Sequence, residues 1–140
     1  MKNIKKSILV VDDDVDILEQ TRAHLEAAGF GVICAGSEKE ADMMLKGFTP
    51  DLAVLDLMME NQDSGFILGY KIKKKDPRIP VIIVTAVAGQ TGIDFDVITS
   101  EESSWIKADA IIEKEIRYEQ LLGEVNRLLA GSRQPARRAH

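Results

Sequence analysis

The stretch Asp51-Leu-Ala-Val-Leu-Asp56-Leu-Met-Met-Glu60 decides how the rest of the chain is arranged. Its apolar run, 52–55, follows the Thr49-Pro50 turn and is too short and too rich in Val and Leu for a surface helix. It therefore predicts a strand buried on both faces, as in a parallel sheet. Asp56 ends this run. Because a carboxylate buried alone costs several kcal/mol, we expect Asp56 to lie at the open carboxyl edge of the sheet, although by itself it could equally begin a turn.

A second apolar strand ends in the same way. Ser7-Ile-Leu-Val-Val11 runs directly into Asp12, Asp13 and Asp14. The carboxyl ends of parallel strands lie at one edge of the sheet, so the two strands deliver three or four carboxylates to that edge. This pattern predicts a site for a hard cation, Mg2+ or Mn2+.

Short apolar runs and amphipathic stretches alternate along the whole chain. Strands are predicted over 7–11, 30–35, 52–55, 81–84 and 109–112. Helices are predicted over 15–28, 37–46, 66–75 and 118–130, with Asp14 and Ser37 as the first two N-caps. Segment 87–100 lacks periodicity and predicts a loop, followed by a short helix up to Ile106. The alternation predicts an α/β fold, a three-layer doubly wound (βα)5 parallel sheet.

Composition limits the classes of function. Residues 1–130 suffice for one domain with a real core, whereas 131–140 carry three arginines without apolar periodicity and predict a disordered tail or linker stub. The net charge of −5 argues against nucleic-acid binding through bulk charge, and no apolar run has the length of a membrane span. The single cysteine, Cys34, cannot form an internal disulfide, so a reducing cytoplasm is the default expectation.

Side chains from four strands are expected to converge at the carboxyl edge. They are Asp12, Asp13, Asp56, Thr85 and Lys114. Such a set offers what a transferring phosphoryl group needs, namely a nucleophile, a cation site, a fixed positive charge and a hydrogen-bond donor. Asp56 is the better nucleophile candidate, because the carboxylate that attacks must not be fully occupied by metal ligation.

Four motifs in this order resemble the receiver domain of response regulators, the phosphoacceptor of two-component signalling, over about residues 5–130. The motifs are Ile8-Leu-Val-Val-Asp12-Asp13-Asp14, Asp51-Leu-Ala-Val-Leu-Asp56-Leu-Met-Met59, Pro80-Val-Ile-Ile-Val-Thr85-Ala86 and Ala108-Asp-Ala-Ile-Ile-Glu-Lys114. The resemblance implies a CheY-like, flavodoxin-like fold with strand order 2-1-3-4-5. It also implies that a histidine kinase or phosphotransfer protein phosphorylates Asp56.

The resemblance further assigns a role to each site residue. It implies that Mg2+ is bound by Asp12 (through water), Asp13, Asp56 and the backbone carbonyl of Met58, and that the phosphoryl group is stabilised and sensed by Thr85, Ala86 and Lys114. Such a domain phosphorylates and dephosphorylates itself and is not a turnover enzyme. It would bind a downstream protein and form a dimer in response to phosphorylation.

Several positions depart from the family pattern. Glu115 follows Lys114 where the family usually has proline, and Ile111 stands where many members carry Tyr or Phe. Thr85 and Lys114 are 29 positions apart, longer than the family norm by roughly two helical turns. We therefore expect a remodelled output surface around 94–105.

Two other classes of function compete with the phosphoacceptor. One is a receiver-like interaction module that takes no phosphate and uses the fold only to bind a partner. The other is a haloacid-dehalogenase-like phosphatase, because Asp12-Asp13-Asp14 after a buried strand resembles the Asp-x-Asp of those enzymes. Those phosphatases need further acids after their lysine, and this chain has no aspartate beyond Asp109.

Overall fold

A parallel sheet with helices on both faces forms the body of the protein. The computed structural model describes residues 5–57, 59, 64–85, 108–113, 117–130 and 137–138. Within them the strands are β1 (Ser7–Val11), β2 (Gly31–Ala35), β3 (Leu52–Asp56), β4 (Val81–Thr85), β5 (Ala110–Glu113) and β6 (Arg137–Arg138). The helices are α1 (Val15–Ala27), α2 (Glu38–Leu45), α3 (Ser64–Lys75) and α4 (Tyr118–Leu129).

The strand order in the described part of the chain is β2-β1-β3-β4-β5-β6, and every neighbouring pair is parallel. The expected order 2-1-3-4-5 and the doubly wound α/β class are therefore confirmed. The two-residue strand β6 lies beside β5 and falls within 131–140, for which the sequence predicts a disordered tail. The expected loop and short helix over 87–106 lie outside the described residues.

Both faces of the sheet are covered, which explains why its strands are apolar at consecutive positions. On β3, Ala53 and Leu55 pack in a buried cluster with side chains of α2 and α3. Leu52 and Val54 point the other way, into a cluster with side chains of α1 and α4. Asp56 continues the second series, so its side chain follows Leu52 and Val54 along the α1 side of the sheet.

The first two helices begin at the predicted caps. The carboxylate of Asp14 accepts hydrogen bonds from the backbone N–H groups of Asp16 and Ile17, at 2.9 and 3.3 Å. The hydroxyl of Ser37 accepts one from the N–H of Glu40, at 3.0 Å. These contacts satisfy donors that the first turn of a helix leaves without an intrahelical partner.

Two aspartates hold the amino-terminal edge of the sheet by the same arrangement. The N–H of Asp51 donates to the carbonyl of Ser7 at 2.8 Å, and its carboxylate accepts from the Ser7 N–H at 2.7 Å. Asp109 makes the same pair of bonds with Val81, at 2.7 and 2.8 Å, and also contacts the ammonium of Lys73 at 2.6 Å. Each aspartate thus ties together the starts of two neighbouring strands. Because Asp109 turns its carboxylate back onto β4, β5 begins one residue later than the sequence predicts.

Cys34 lies half-buried on β2 and packs against the α1 side of the core. Burial raises the pKa of its thiol above the usual value, and this outweighs the opposing effect of the Arg22 charge. Because the thiolate is the reactive form, we expect Cys34 to be alkylated more slowly than free cysteine at pH 8. Iodoacetamide labelling followed by mass spectrometry tests this, with the urea-unfolded chain as the control. Equal rates in the folded and unfolded chain would contradict the expectation.

None of the helices in the described ranges combines the length and the apolar character that a membrane span requires.

Candidate functional site at the carboxyl edge of the sheet

Three carboxylates meet where β1 and β3 end. Asp12, Asp13 and Asp56 each offer an oxygen atom, and these atoms all lie within 4.8 Å of one another. Asp12 and Asp56 are only 3% and 4% exposed, whereas Asp13 is exposed to solvent. The predicted convergence of these acids is therefore found in the structure.

The turn after β1 determines where Asp12 lies. Its N–H donates to the carbonyl of Ala35 on β2, at 3.2 Å, which extends the strand ladder by one bond. Its carboxylate accepts from the N–H of Asp14 at 2.9 Å. Asp14 in turn caps α1, so the Asp12 carboxylate is held at the junction between a buried strand and a capped helix. Asp13, between the two, faces solvent and reaches the same cluster from the outside.

The strand register places Asp56 at the same level as Asp12. Val11 is opposite Leu55, so Asp12 and Asp56 each occupy the next position along their strands. On the other side Asp56 is opposite Val84 of β4, and the N–H of Leu57 donates to the Val84 carbonyl at 2.8 Å. The end of β3 is therefore held between β1 and β4, and these contacts fix the position of the Asp56 Cα from which the carboxylate extends.

Thr85 is the last residue of β4 and is only 2% exposed. It lies one position beyond Val84, the register partner of Asp56, and opposite Glu113 of β5. Thr85 thus ends the neighbouring strand at the edge where the acids meet. Three of the expected site residues, Met58, Ala86 and Lys114, lie outside the described residues.

Gly65 lies against the backbone that carries Asp56, a contact that the sequence did not predict. The sequence predicts a loop up to Gly65 and a helix from Phe66, but α3 already begins at Ser64. The N–H of Gly65 donates to the carbonyl of Leu57 at 2.8 Å, so the first turn of α3 lies directly against the end of β3. A glycine at the start of a helical pattern, nine positions after a strand-end acid, was the available sequence signal.

Ile111, at the position where the resemblance leads one to expect an aromatic residue, is buried in the cluster on the α2 and α3 side of the sheet. It therefore fills the core there.

The chemistry of the donor set fits a hard divalent cation. All the clustered side-chain donors are carboxylate oxygens, which Mg2+ prefers to nitrogen or sulfur ligands. Two like charges about 4 Å apart repel by about 4 kcal/mol at the effective dielectric constant of about 20 that suits sites near a protein surface. A bound cation removes this repulsion, and the exposed Asp13 gives it access from solvent.

A doubly wound parallel sheet with an acid cluster at its carboxyl edge defines a class of α/β protein that binds its ligands at the ends of β1 and β3. Comparison with known proteins makes the assignment specific. The response regulator receiver domain matches residues 8–126, which is most of the chain. The chain belongs to the family of response regulator receiver domains of two-component systems, which is not a family of turnover enzymes.

Individual relatives agree with this assignment. The chain is 33% identical over 129 residues to the probable transcriptional regulator ycf27 of Pyropia yezoensis, and the match covers 92% of this chain and 49% of the relative. A CheY-like receiver domain protein of Methanospirillum hungatei superimposes with a TM-score of 0.75 at 29% identity, covering 91% of this chain and 95% of the other. The response regulator TrrA of Thermotoga maritima, solved in complex with Mg(2+)-BeF, gives a TM-score of 0.72 at 28% identity, with 88% and 98% coverage. The chain spans about half the length of the curated relatives it matches.

Proposed function

We propose that Asp56 is the phosphoacceptor of this receiver domain and that a histidine kinase or a phosphotransfer protein is the donor. The observation that carries the proposal is the acid cluster, in which Asp12, Asp13 and Asp56 bring oxygen atoms within 4.8 Å of one another. Asp56 differs from the other two because it ends the central strand β3, level with the end of β4 where Thr85 lies.

The reaction is an in-line displacement at phosphorus. A carboxylate oxygen of Asp56 forms a bond to the phosphorus of a phosphohistidine while the bond from phosphorus to the imidazole nitrogen breaks. The bonding electron pair stays on that nitrogen, and the imidazole is released as the leaving group. The product is an acyl phosphate on Asp56, which water later hydrolyses.

The other residues of the proposed site would bind the cation or donate a hydrogen bond to the phosphoryl group. Asp12, Asp13 and Asp56, together with the backbone carbonyl of Met58, would hold Mg2+. Mg2+ held there would supply positive charge that offsets the carboxylates and the negative charge of the phosphoryl oxygens. The Thr85 hydroxyl would donate a hydrogen bond to one of these oxygens.

Two further residues of the proposed site follow strands of the sheet. Lys114 comes directly after Glu113, the register partner of Thr85, and its ammonium would pair with a phosphoryl oxygen. Ala86 comes directly after Thr85 and would leave room for the phosphoryl group. The T. maritima relative in complex with Mg(2+)-BeF supports a cation site of this kind in the family.

Phosphorylation would change a surface that a downstream protein reads, with 94–105 as the proposed output segment and a phosphorylation-dependent dimer as one form of the response. Curated relatives include probable transcriptional regulators and a DNA-binding response regulator, which supports a role in regulated signalling. We propose that this signalling takes place in the cytoplasm.

Incubation with acetyl phosphate tests the proposal directly. We expect the intact mass of the wild-type chain to increase by one phosphoryl group when Mg2+ is present, and the adduct to be lost on treatment with hydroxylamine, which cleaves acyl phosphates. EDTA should prevent the adduct, because Mg2+ held by the three carboxylates would neutralise their charge. An adduct that forms equally well in EDTA or resists hydroxylamine would contradict an acyl phosphate at this site. No adduct from acetyl phosphate or from a phosphorylated kinase would favour the interaction module that takes no phosphate.

A further inference from the structure

We propose that Gly65 is a positioning residue for the phosphoacceptor, because its missing side chain allows α3 to lie directly on the backbone of Asp56 and Leu57. This inference rests on the proposed function of Asp56 and adds a residue that controls the geometry of the same site. Gly65 touches neither the cation nor the phosphoryl group in this proposal. It acts through the backbone that carries Asp56 and leads to Met58.

The space at Gly65 is closed by backbone atoms. A Cβ atom built there would lie 2.6 Å from the carbonyl oxygen of Asp56 and 2.7 Å from the Cα of Leu57. It would also lie 3.1 Å from the carbonyl carbon of Asp56. Real Cβ atoms do not approach other atoms within 3.0 Å, and backbone atoms cannot rotate away as the end of a flexible side chain can. The requirement for glycine is one of space, since Gly65 does not have the positive φ that Gly29 has.

Two backbone hydrogen bonds of Leu57 fix this close approach, and we call this pair of contacts the Leu57 joint. The Gly65 N–H donates to the Leu57 carbonyl at 2.8 Å, and the Leu57 N–H donates to the Val84 carbonyl at 2.8 Å. Leu57 is fully buried and is thus held by α3 on one side and by β4 on the other. Leu57, which carries both hydrogen bonds, directly follows Asp56 and directly precedes Met58 in the chain.

The rest of α3 is fixed and resists a displacement away from the site. Phe66, Leu68 and Ile72 are buried in the core on the α2 and α3 side of the sheet. Near its end, Lys73 forms the ion pair with Asp109 at 2.6 Å. A methyl group at position 65 would therefore displace the backbone at Asp56 and Leu57 at least in part. Displacements of this size matter because a cation site and an in-line attack both require ligand positions within about 0.5 Å.

The chain offers a matched control at another helical glycine. Gly123 lies on α4, is exposed, and would have nothing within 4 Å of an added Cβ. The substitutions Gly65→Ala and Gly123→Ala therefore add the same methyl group, in one case against the site and in the other into open space. Alanine favours helix by about 1 kcal/mol over glycine in a helix interior, as at position 123, and by less in a first turn, as at position 65. Propensity alone therefore predicts that neither variant loses stability.

The experiment measures Mg2+ affinity of the unphosphorylated protein by isothermal titration calorimetry, and then the rate of phosphorylation by acetyl phosphate at saturating Mg2+. We expect Gly65→Ala to bind Mg2+ about tenfold or more weakly and to phosphorylate more slowly, as when a group that orients a metal ligand is changed. Gly123→Ala should match the wild type in both measurements. A folded Gly65→Ala protein with wild-type Mg2+ affinity and rate would overturn the proposal.

A packing variant separates positioning from a general loss of stability. Phe66 follows Gly65 on α3 and is buried. The substitution Phe66→Leu reduces the buried side-chain volume and leaves position 65 as glycine. It should lower the Tm and leave Mg2+ affinity within about twofold, because the Leu57 joint remains. If Phe66→Leu weakens Mg2+ binding as much as Gly65→Ala does, Gly65 has no special role and the proposal fails.

A measurement on the wild type keeps the idea testable if Gly65→Ala does not fold. In a Mg2+ titration followed by NMR, the Gly65 amide should shift strongly and the Gly123 amide should not. An unmoved Gly65 amide would overturn the proposal. Failure of the proposed function has a different signature, the absence of a phosphoryl adduct on the wild type. That result leaves the comparison of Mg2+ affinities between Gly65→Ala and the wild type intact.

Discussion

Asp56→Asn should accept no phosphoryl group from acetyl phosphate in the presence of Mg2+, under conditions that give a labile adduct on the wild type. The amide that replaces the carboxylate lacks the negatively charged oxygen that attacks phosphorus. Intact mass spectrometry measures the result. Asp51→Asn is the matched control, because Asp51 lies at the other end of the same strand and bonds to Ser7 far from the acid cluster. It should be phosphorylated like the wild type.

The same substitution should stabilise the protein when metal is absent. Asp56 contributes one of three charges whose oxygen atoms lie within 4.8 Å of one another. Because like charges repel, removal of one of them should raise the free energy of unfolding in EDTA. Thermal unfolding with and without Mg2+ measures this, and the wild type should gain more stability from Mg2+ than the variant does. In the acetyl phosphate experiment, a labile adduct on Asp56→Asn would show instead that Asp12 or Asp13 is the nucleophile.

Asp109→Ala should lower the free energy of unfolding by about 3 kcal/mol. This is a larger loss than we expect for Asp51, the other aspartate at the amino-terminal edge of the sheet. The substitution removes the acceptor for the buried Val81 N–H and the partner of the Lys73 ammonium. Lys73 is only 16% exposed, so within the described part of the chain its charge would keep a single long contact, to the Pro77 carbonyl at 3.4 Å, and little solvent. Urea denaturation followed by circular dichroism measures the change.

Asp51→Ala provides the comparison, since Asp51 makes the same two backbone bonds but has no lysine at its carboxylate among the described contacts. Its exposed position predicts a loss of about 1 kcal/mol. Asp109→Asn should fall between the two because an amide oxygen can still accept the Val81 N–H. If both alanine variants lose the same stability, the Lys73 ion pair contributes nothing at this position.

The sequence by itself determined the class of fold and the main chemistry of the site. Apolar runs such as 52–55 indicate strands that are buried on both faces. Their alternation with amphipathic helices predicts a doubly wound parallel sheet. Parallel strands place Asp12, Asp13 and Asp56 at one edge of the sheet, and the strand order 2-1-3-4-5 that the resemblance implies makes β1 and β3 neighbours. The residue pattern together with the resemblance therefore predicted the acid cluster, and the structure contains it.

Tertiary structure alone decided how these residues are held. The contact of Gly65 with the backbone of Asp56 depends on the path of α3 over the end of β3, and the pattern of residues gives no such path. Asp109 was expected inside β5, yet it bonds to Val81 and Lys73, two partners that lie far away in the sequence. Periodicity reports which side of an element is buried, whereas these contacts depend on register and helix placement. Those are set by the packing of the whole core, and that is why only the structure reveals them.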